Sequence, residues 1–248
     1  MKANTSVAIL QKGKEIFLNP SPTYSYEDII GGVTVLGSCQ RRKEMRAVES
    51  NSFISYRFKG EANKIIDLYI KCFIENKDEI IEKLLKANDR AEIANLADHL
   101  RIKIINAYKK ENFKTTADIN SYNRVRKIID LYFEHIAAMS IETTNHRESL
   151  IPLLSLPLDS KILGCDEIFT DNELKQMSLK RKNTYGSIQK KEIYIKLQNL
   201  LINKAQLISP EFYVIYFDLI WGVGGSQNLI PRYKSRGRNL FETNFGIQ

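Results

Sequence analysis

Cysteine is scarce in this chain: Cys39, Cys72 and Cys165 are three among 248 residues, far apart and odd in number, and no CxxC pair occurs. That excludes a disulfide framework and a zinc knuckle, and it fits a reducing cytoplasm. Long apolar runs are missing too. Nowhere do about 18 apolar residues follow one another, and the opening MKANTSVAILQKGKEIFL has no apolar stretch leading to small residues. The expectation is a soluble protein that is not exported, cytoplasmic, monomeric and without contact to a membrane. Strand signals are sparse, and there is no internal repeat or low-complexity tract. His99, His135 and His146 lack metal-ligand spacing, and GVGGSQN at 222–228 has glycines but no GKS or GKT. Neither a metal nor an organic cofactor is expected.

What the chain does have is apolar substance and positive charge. With 43% hydrophobic residues it can bury a sizeable core as one large domain or two lobes. From about residue 61, apolar residues recur at three and four in EANKIIDLYIKCFIEN, DRAEIANLADHLRIKIINAYKKEN and SYNRVRKIIDLYFEHIAAM. The period predicts an all-α fold of eight to ten helices. Residues 1–60 are less regular, punctuated by PSP and GG, with GGVTVLGS as one short strand or a buried turn; 61–225 form the helical core and 226–248 a basic tail. Asp89 with Glu92 predicts a capped helix start. Ser209-Pro210-Glu211 predicts another, opening a helix over PEFYVIYFDLIW.

The formal net charge is +8, from 37 basic and 29 acidic residues. Four runs hold much of the positive charge: QRRKEMR (40–46), RVRK (124–127), KQMSLKRK (175–182) and RYKSRGR (232–238). Each is either a solvated face or part of one phosphate track, since neutralising several phosphates gives salt-dependent binding to a polyanion.

The segment LSLPLDSKIL at 154–163 places one acid, Asp159, after a proline where a helix begins. Two compatible readings follow. Asp159 caps the helix DSKILGCDEIF by accepting backbone N–H bonds, or those same bonds hold an ionised carboxylate at a cleft, ready to stabilise positive charge or activate a nucleophile. Lys127 lies 32 residues earlier. On the helix that carries it, Val125, Ile128, Ile129, Tyr132, Ile136 and Met139 make the apolar stripe, and Lys127 lies almost opposite, so it faces solvent, a cleft or another lobe.

The order of a helix with Lys127, then LPLD opening a helix, then YIKLQNLLINKAQLI, then SPEFYVIYFDLIWGVGG resembles the C-terminal half of the helix-hairpin-helix DNA glycosylases, above all their archaeal 8-oxoguanine branch. The similarity spans residues 120 to 225. In that family a Pro-hydrophobic-Asp sequence begins the helix with the catalytic aspartate, and a later helix ends in an Asp-Leu-x-x-Trp-like run, as Asp218-Leu219-Ile220-Trp221 does here. FKTTADINSYNRVRK, before and through Lys127, departs from the family: it has no LPGxGxK-type hairpin and no glycine.

The resemblance implies a two-lobed helical protein with a cleft between the lobes. It implies a double-stranded DNA partner carrying a modified base, with Asp159 as the catalytic carboxylate and Lys127 as the nucleophile. Such an amine must be partly neutral, which burial or the cations of Arg124 and Arg126 would favour; with Lys161 and the tail residues Arg232, Lys234, Arg236 and Arg238, these arginines are also the expected DNA contacts. Trp221 is the candidate wall of the base pocket and His135 a further candidate, each with a structural reading beside it: a helix-end core residue and a satisfied core histidine. Related glycosylases also remove hypermodified bases from phage DNA, so repair and antiviral defence both stand open. The alternatives are a non-enzymatic helical nucleic-acid-binding module, with Asp159 only a cap, and a basic structural or assembly protein.

Overall fold

Wherever the apolar period is three and four, the chain is helical. The computed structural model describes residues 3–19, 23–36, 42–45, 47–48, 52–53, 62–113 and 119–220. Its helices are α1 (Ala3–Gly13), α2 (Tyr26–Gly31), α3 (Ala62–Glu75), α4 (Lys77–Lys86), α5 (Arg90–Lys110), α6 (Tyr122–Met139), α7 (Arg147–Leu150), α8 (Ser160–Gly164), α9 (Asp171–Gln176) and α10 (Lys191–Ile208). Among the described residues the only strands are β1 (Val33–Leu36) and β2 (Arg42–Met45), an antiparallel ribbon with Val33 opposite Met45. The fold is all-α, and no described helix is long and apolar enough to cross a membrane.

Local chemistry sets the starts. Asp89 caps α5, accepting Glu92 N–H at 2.9 Å, while the Glu92 carboxylate accepts the Asn88 N–H at 2.7 Å, one residue earlier than in a standard capping box. Thr170 and Glu173 make the reciprocal box at the start of α9. Along α5, Ile93, Leu96, Ala97, Leu100, Ile104, Ile105 and Tyr108 are buried, a stripe at helical spacing. On α10 the stripe is Tyr194, Leu197, Gln198, Leu201 and Ala205, with one amide among the apolar residues.

Helix α6 is the centre. Every residue from Tyr122 to Met139 is buried except Arg124, because α2, α5, α10 and the turns at 141–146 and 185–187 pack round it. This corrects the amphipathic reading: the face opposite the apolar stripe is covered as well. Lys127 is therefore buried, at 4% exposure, beneath other elements.

Two more expectations change. The N-terminal region is more regular than its sequence suggests, since α1 runs on through a π turn to Leu18. Its core partner comes from the far end of the chain: the Phe17 and Tyr216 rings stack with centroids 5.7 Å apart. A Cβ on Gly13 would lie 2.6 Å from the Tyr216 ring, so only glycine allows this approach. A parallel bridge between Tyr24 and Ser140 ties the segment before α2 to the end of α6. The second change concerns PEFYVIYFDLIW. Its described part is no α-helix but a tight turn from Ser209 followed by 3-10 helix over Val214–Ile220. Clustering of Phe212, Tyr213, Tyr216 and Phe217, with ring centroids 5.1 to 5.7 Å apart, favours that tighter winding. Helix α8 likewise stops at Gly164, well short of DSKILGCDEIF.

Candidate active site

The strand-like segment that delivers Asp159 is held by three helices. Leu154, Leu156 and Leu158 are buried in the core, and side chains from outside the segment bond the backbone groups of these same residues. Arg90 of α5 donates Nη1 to the Leu154 carbonyl at 2.7 Å. Burial lowers the pKa of Arg90 to about 10, with Tyr194 acting the other way, which leaves it a charged donor at neutral pH. Gln198 of α10 accepts the Leu156 N–H at 3.1 Å and donates to the Leu156 carbonyl at 2.8 Å, imitating a strand partner. Asn123 of α6 donates to the Leu158 carbonyl at 2.8 Å and to the Tyr185 carbonyl at 3.1 Å.

Asp159 then turns the chain into α8. One oxygen, Oδ1, accepts the Lys161 N–H at 2.8 Å and the Ile162 N–H at 3.0 Å. The acid is 5% exposed, whereas Ser160 and Lys161 beside it are exposed. Two amide donors on one oxygen fix the position of the carboxylate at the start of α8.

Lys127 belongs to the same side of α6 as Asn123, one turn further on. The residues 184–189 wrap the N-terminus of α6. Carbonyls of Gln189 and Ile188 accept the N–H groups of Tyr122 and Asn123 at 3.0 and 3.1 Å, and Ser121 Oγ donates to Gly186 O at 2.7 Å. The two N–H groups are orphan helix-terminal donors, satisfied by a loop instead of a side-chain cap. The loop also lays the Tyr185 ring under the Lys127 ammonium, Nζ to centroid 4.5 Å. Asn123 thus joins the carbonyl before Asp159 to the turn that carries Tyr185, and brings the Asp159 segment and Lys127 to one side of the helix.

The other face of α6 uses its charge differently. Arg126 is fully buried, its Nε 2.7 Å from Asp130 Oδ1 and its Nη1 3.2 Å from the Ala94 carbonyl. Tyr194 OH donates to Asp130 Oδ2 at 2.7 Å, and Tyr122 OH donates to Asp98 Oδ1 at 2.6 Å. Burial is the largest influence on Arg126 and opposes its charge, but Asp130, Tyr194 and Tyr122 together outweigh it and the pKa rises. The expected phosphate contact at Arg126 is thereby corrected: its guanidinium is a core group clamping α5, α6 and α10. Arg124 is half-buried, its guanidinium 5.8 Å from the Tyr185 ring centroid, and Lys161 is exposed next to Asp159.

His135, the second base-pocket candidate, is a core histidine at 2% exposure, with Nδ1 2.7 Å from the Leu131 carbonyl. It lies two turns beyond Lys127, about 12 Å along the axis. Trp221, Arg232, Lys234, Arg236 and Arg238 lie outside the described residues. Asp218 is described and is fully buried in the 3-10 segment. No group of three or more His, Cys, Asp or Glu able to hold a metal occurs among the described residues.

Sequence reasoning missed Asn123, Gln198, Arg90 and Tyr185. One signal was available: Gln198 is a polar residue on an apolar stripe, between Leu197 and Leu201, where burial demands a partner. No protein-family model, curated protein or solved structure matches the chain.

Proposed function

We propose that the protein is a DNA N-glycosylase that everts a modified base and cuts its N-glycosidic bond, leaving an abasic site. The observation that carries this reading is the immobilisation of Asp159: three helices pin the segment before it, and two amides pin its carboxylate. Preorganised negative charge at a fixed point is what an oxocarbenium-like sugar requires, because the charge need not reorganise as the bond breaks. A nucleotide would approach from the α8 end, where Ser160 and Lys161 are exposed.

Bond cleavage sends the electron pair of the C1′–N bond to the base, which leaves after gaining a proton. Either water or the Lys127 amine then bonds to C1′. With the amine, loss of its protons and opening of the sugar give a Schiff base and allow a lyase step. Burial with Nζ over the Tyr185 ring fixes the position of the amine for attack. The base itself is oxidised guanine or a hypermodified phage cytosine, in base-excision repair or antiviral defence, and this route uses no metal or organic cofactor. Extrusion of the base is needed because its glycosidic bond is shielded within the stack.

One observation favours a second reading, a non-enzymatic nucleic-acid-binding module: Asp159 also completes a helix cap, a role that needs no catalysis. Incubation of the purified protein with duplexes carrying different modified bases, glucosylated cytosine and oxidised guanine among them, followed by mass spectrometry of released bases, decides between the two. Free base from one substrate is the expected result. DNA binding without any released base across the panel overturns the glycosylase reading in favour of the module.

A further inference from the structure

Behind α8 lies a groove of about 730 Å³ that the site above leaves unused. Its floor is Leu174 and Leu179, and Lys175, Lys180, Arg181 and Lys182 stand round it. The groove has a built cause. Helix α9 ends with Ser178 in the left-handed region, φ 57°, and the Leu179 N–H returns to the Leu174 carbonyl at 2.8 Å. This closure draws Leu179 inward and turns the three lysines out, all exposed. Arg181 is different: its Nε pairs at the surface with Asp171 Oδ1 at 2.6 Å, which offsets the only acid among the described residues lining the groove. The lysines are left as a net positive surface.

Position gives the groove its meaning. A Cβ built on Gly164, the last residue of α8, would lie 3.6 Å from the Arg181 carbonyl, so the wall of the groove touches the end of the helix that Asp159 begins. Five helical residues span about 8 Å, so the wall of the groove begins about one length of α8 from the residue that starts the helix. Lys161 stands between, on α8 itself.

We infer that the groove lined by Lys175, Lys180 and Lys182 grips the DNA phosphate backbone flanking the everted base, beyond the far end of α8, in place of a glycine hairpin. The assignment of DNA and of the everted base rests on the proposed glycosylase function; the binding of a polyanion rests on the groove alone. Three lysines each neutralising a phosphate release their counterions, which steepens the salt dependence of binding by about 0.9 per contact.

The test compares two triple variants with matched loss of charge: Lys175→Gln/Lys180→Gln/Lys182→Gln, and a control on the α3–α4 surface, Lys71→Gln/Lys83→Gln/Lys86→Gln. Fluorescence anisotropy on a duplex with a tetrahydrofuran abasic analogue is read from 50 to 300 mM salt, with circular dichroism melts to show that both variants fold. The groove variant should lose at least tenfold in affinity at 150 mM salt and flatten the plot of log K against log salt by about two to three units. The control should lose less than threefold. Equal losses in the two variants overturn the inference. Base release is scored separately: groove-dependent binding without released base sinks the glycosylase reading and spares the groove, whereas released base with no difference between variants sinks the groove and spares the enzyme.

Discussion

Arg126 and Lys127 are neighbours in sequence, both buried, both basic residues of one helix, and they are treated in opposite ways. Arg126 meets Asp130, a backbone carbonyl, the Tyr122 hydroxyl and the face of the Tyr194 ring, and its charge is spent on holding α5, α6 and α10 together. Lys127 lies against an aromatic face on the side where Asn123 ties down the Asp159 segment. Burial alone therefore says little about the use of a charge. What the neighbours do with it separates a clamp from a candidate nucleophile.

The comparison is broken first by removing one half of the clamp. Asp130→Ala takes the close partner from a buried guanidinium, leaving it Asp98 at 3.6 Å, and should cost about 3–5 kcal/mol, enough to shift the urea midpoint sharply. The double change Arg126→Met/Asp130→Leu should recover most of that loss; a double variant as weak as the single one would show that the clamp is not an isolated unit. On the other side, Asp159→Asn keeps a good N-cap, so stability should change by less than about 1 kcal/mol while base release falls by at least about 100-fold. If stability collapses and base release survives in proportion to folded protein, Asp159 is only a cap. Lys127→Gln should abolish borohydride trapping on an abasic duplex. Trapping that persists in this variant removes the lysine from the chemistry.

Much of the helical frame is legible in the sequence because α3, α5, α6 and α10 obey the apolar period. The legible part stops where a side chain acts at long range. Periodicity assigns a helix one wet face, and α6 has none, because the partners of its polar residues come from Asp98 on α5 and Tyr194 on α10. No local pattern announces them. Asp159 was readable as a cap because capping is local, but its immobilisation by Arg90, Asn123 and Gln198 depends on helices up to 64 residues away. The 3-10 winding of Val214–Ile220 escaped for a similar reason, since the rings that favour it act together only once packed.

Smaller effects sharpen the contrast between close-packed and yielding surroundings. Gly13→Ala drives a methyl into a buried ring and should cost about 1–3 kcal/mol in chemical denaturation. Gly186→Ala meets the far end of the Arg124 side chain, which can swing aside, and should cost less than about 1 kcal/mol. Two equal costs would mean that Arg124 is fixed as firmly as the core. Cysteine chemistry supplies the mildest test. Burial raises the Cys72 thiol to about 11, with Lys103 pulling the other way, and burial also raises Cys165. A raised folded-state pKa contributes stability that is present below the unfolded value, near 9, and lost as pH climbs towards 11. Melting temperature should fall modestly across that window, and peptide mapping after alkylation at pH 8 should find partly exposed Cys165 modified before buried Cys72.

The pairing of the first helix with the last described segment sets an order of assembly. Lys14 and Glu211, in contact at 2.6 Å, are 197 residues apart. At 5–20 residues per second, the ribosome leaves α1 without its seat for about 10–40 s after it emerges. Its apolar side must wait in the company of chaperones or unfinished helices, and a chain terminated early would carry that greasy surface uncovered. The packing of α1 thus cannot be completed until Val214–Ile220 has been made.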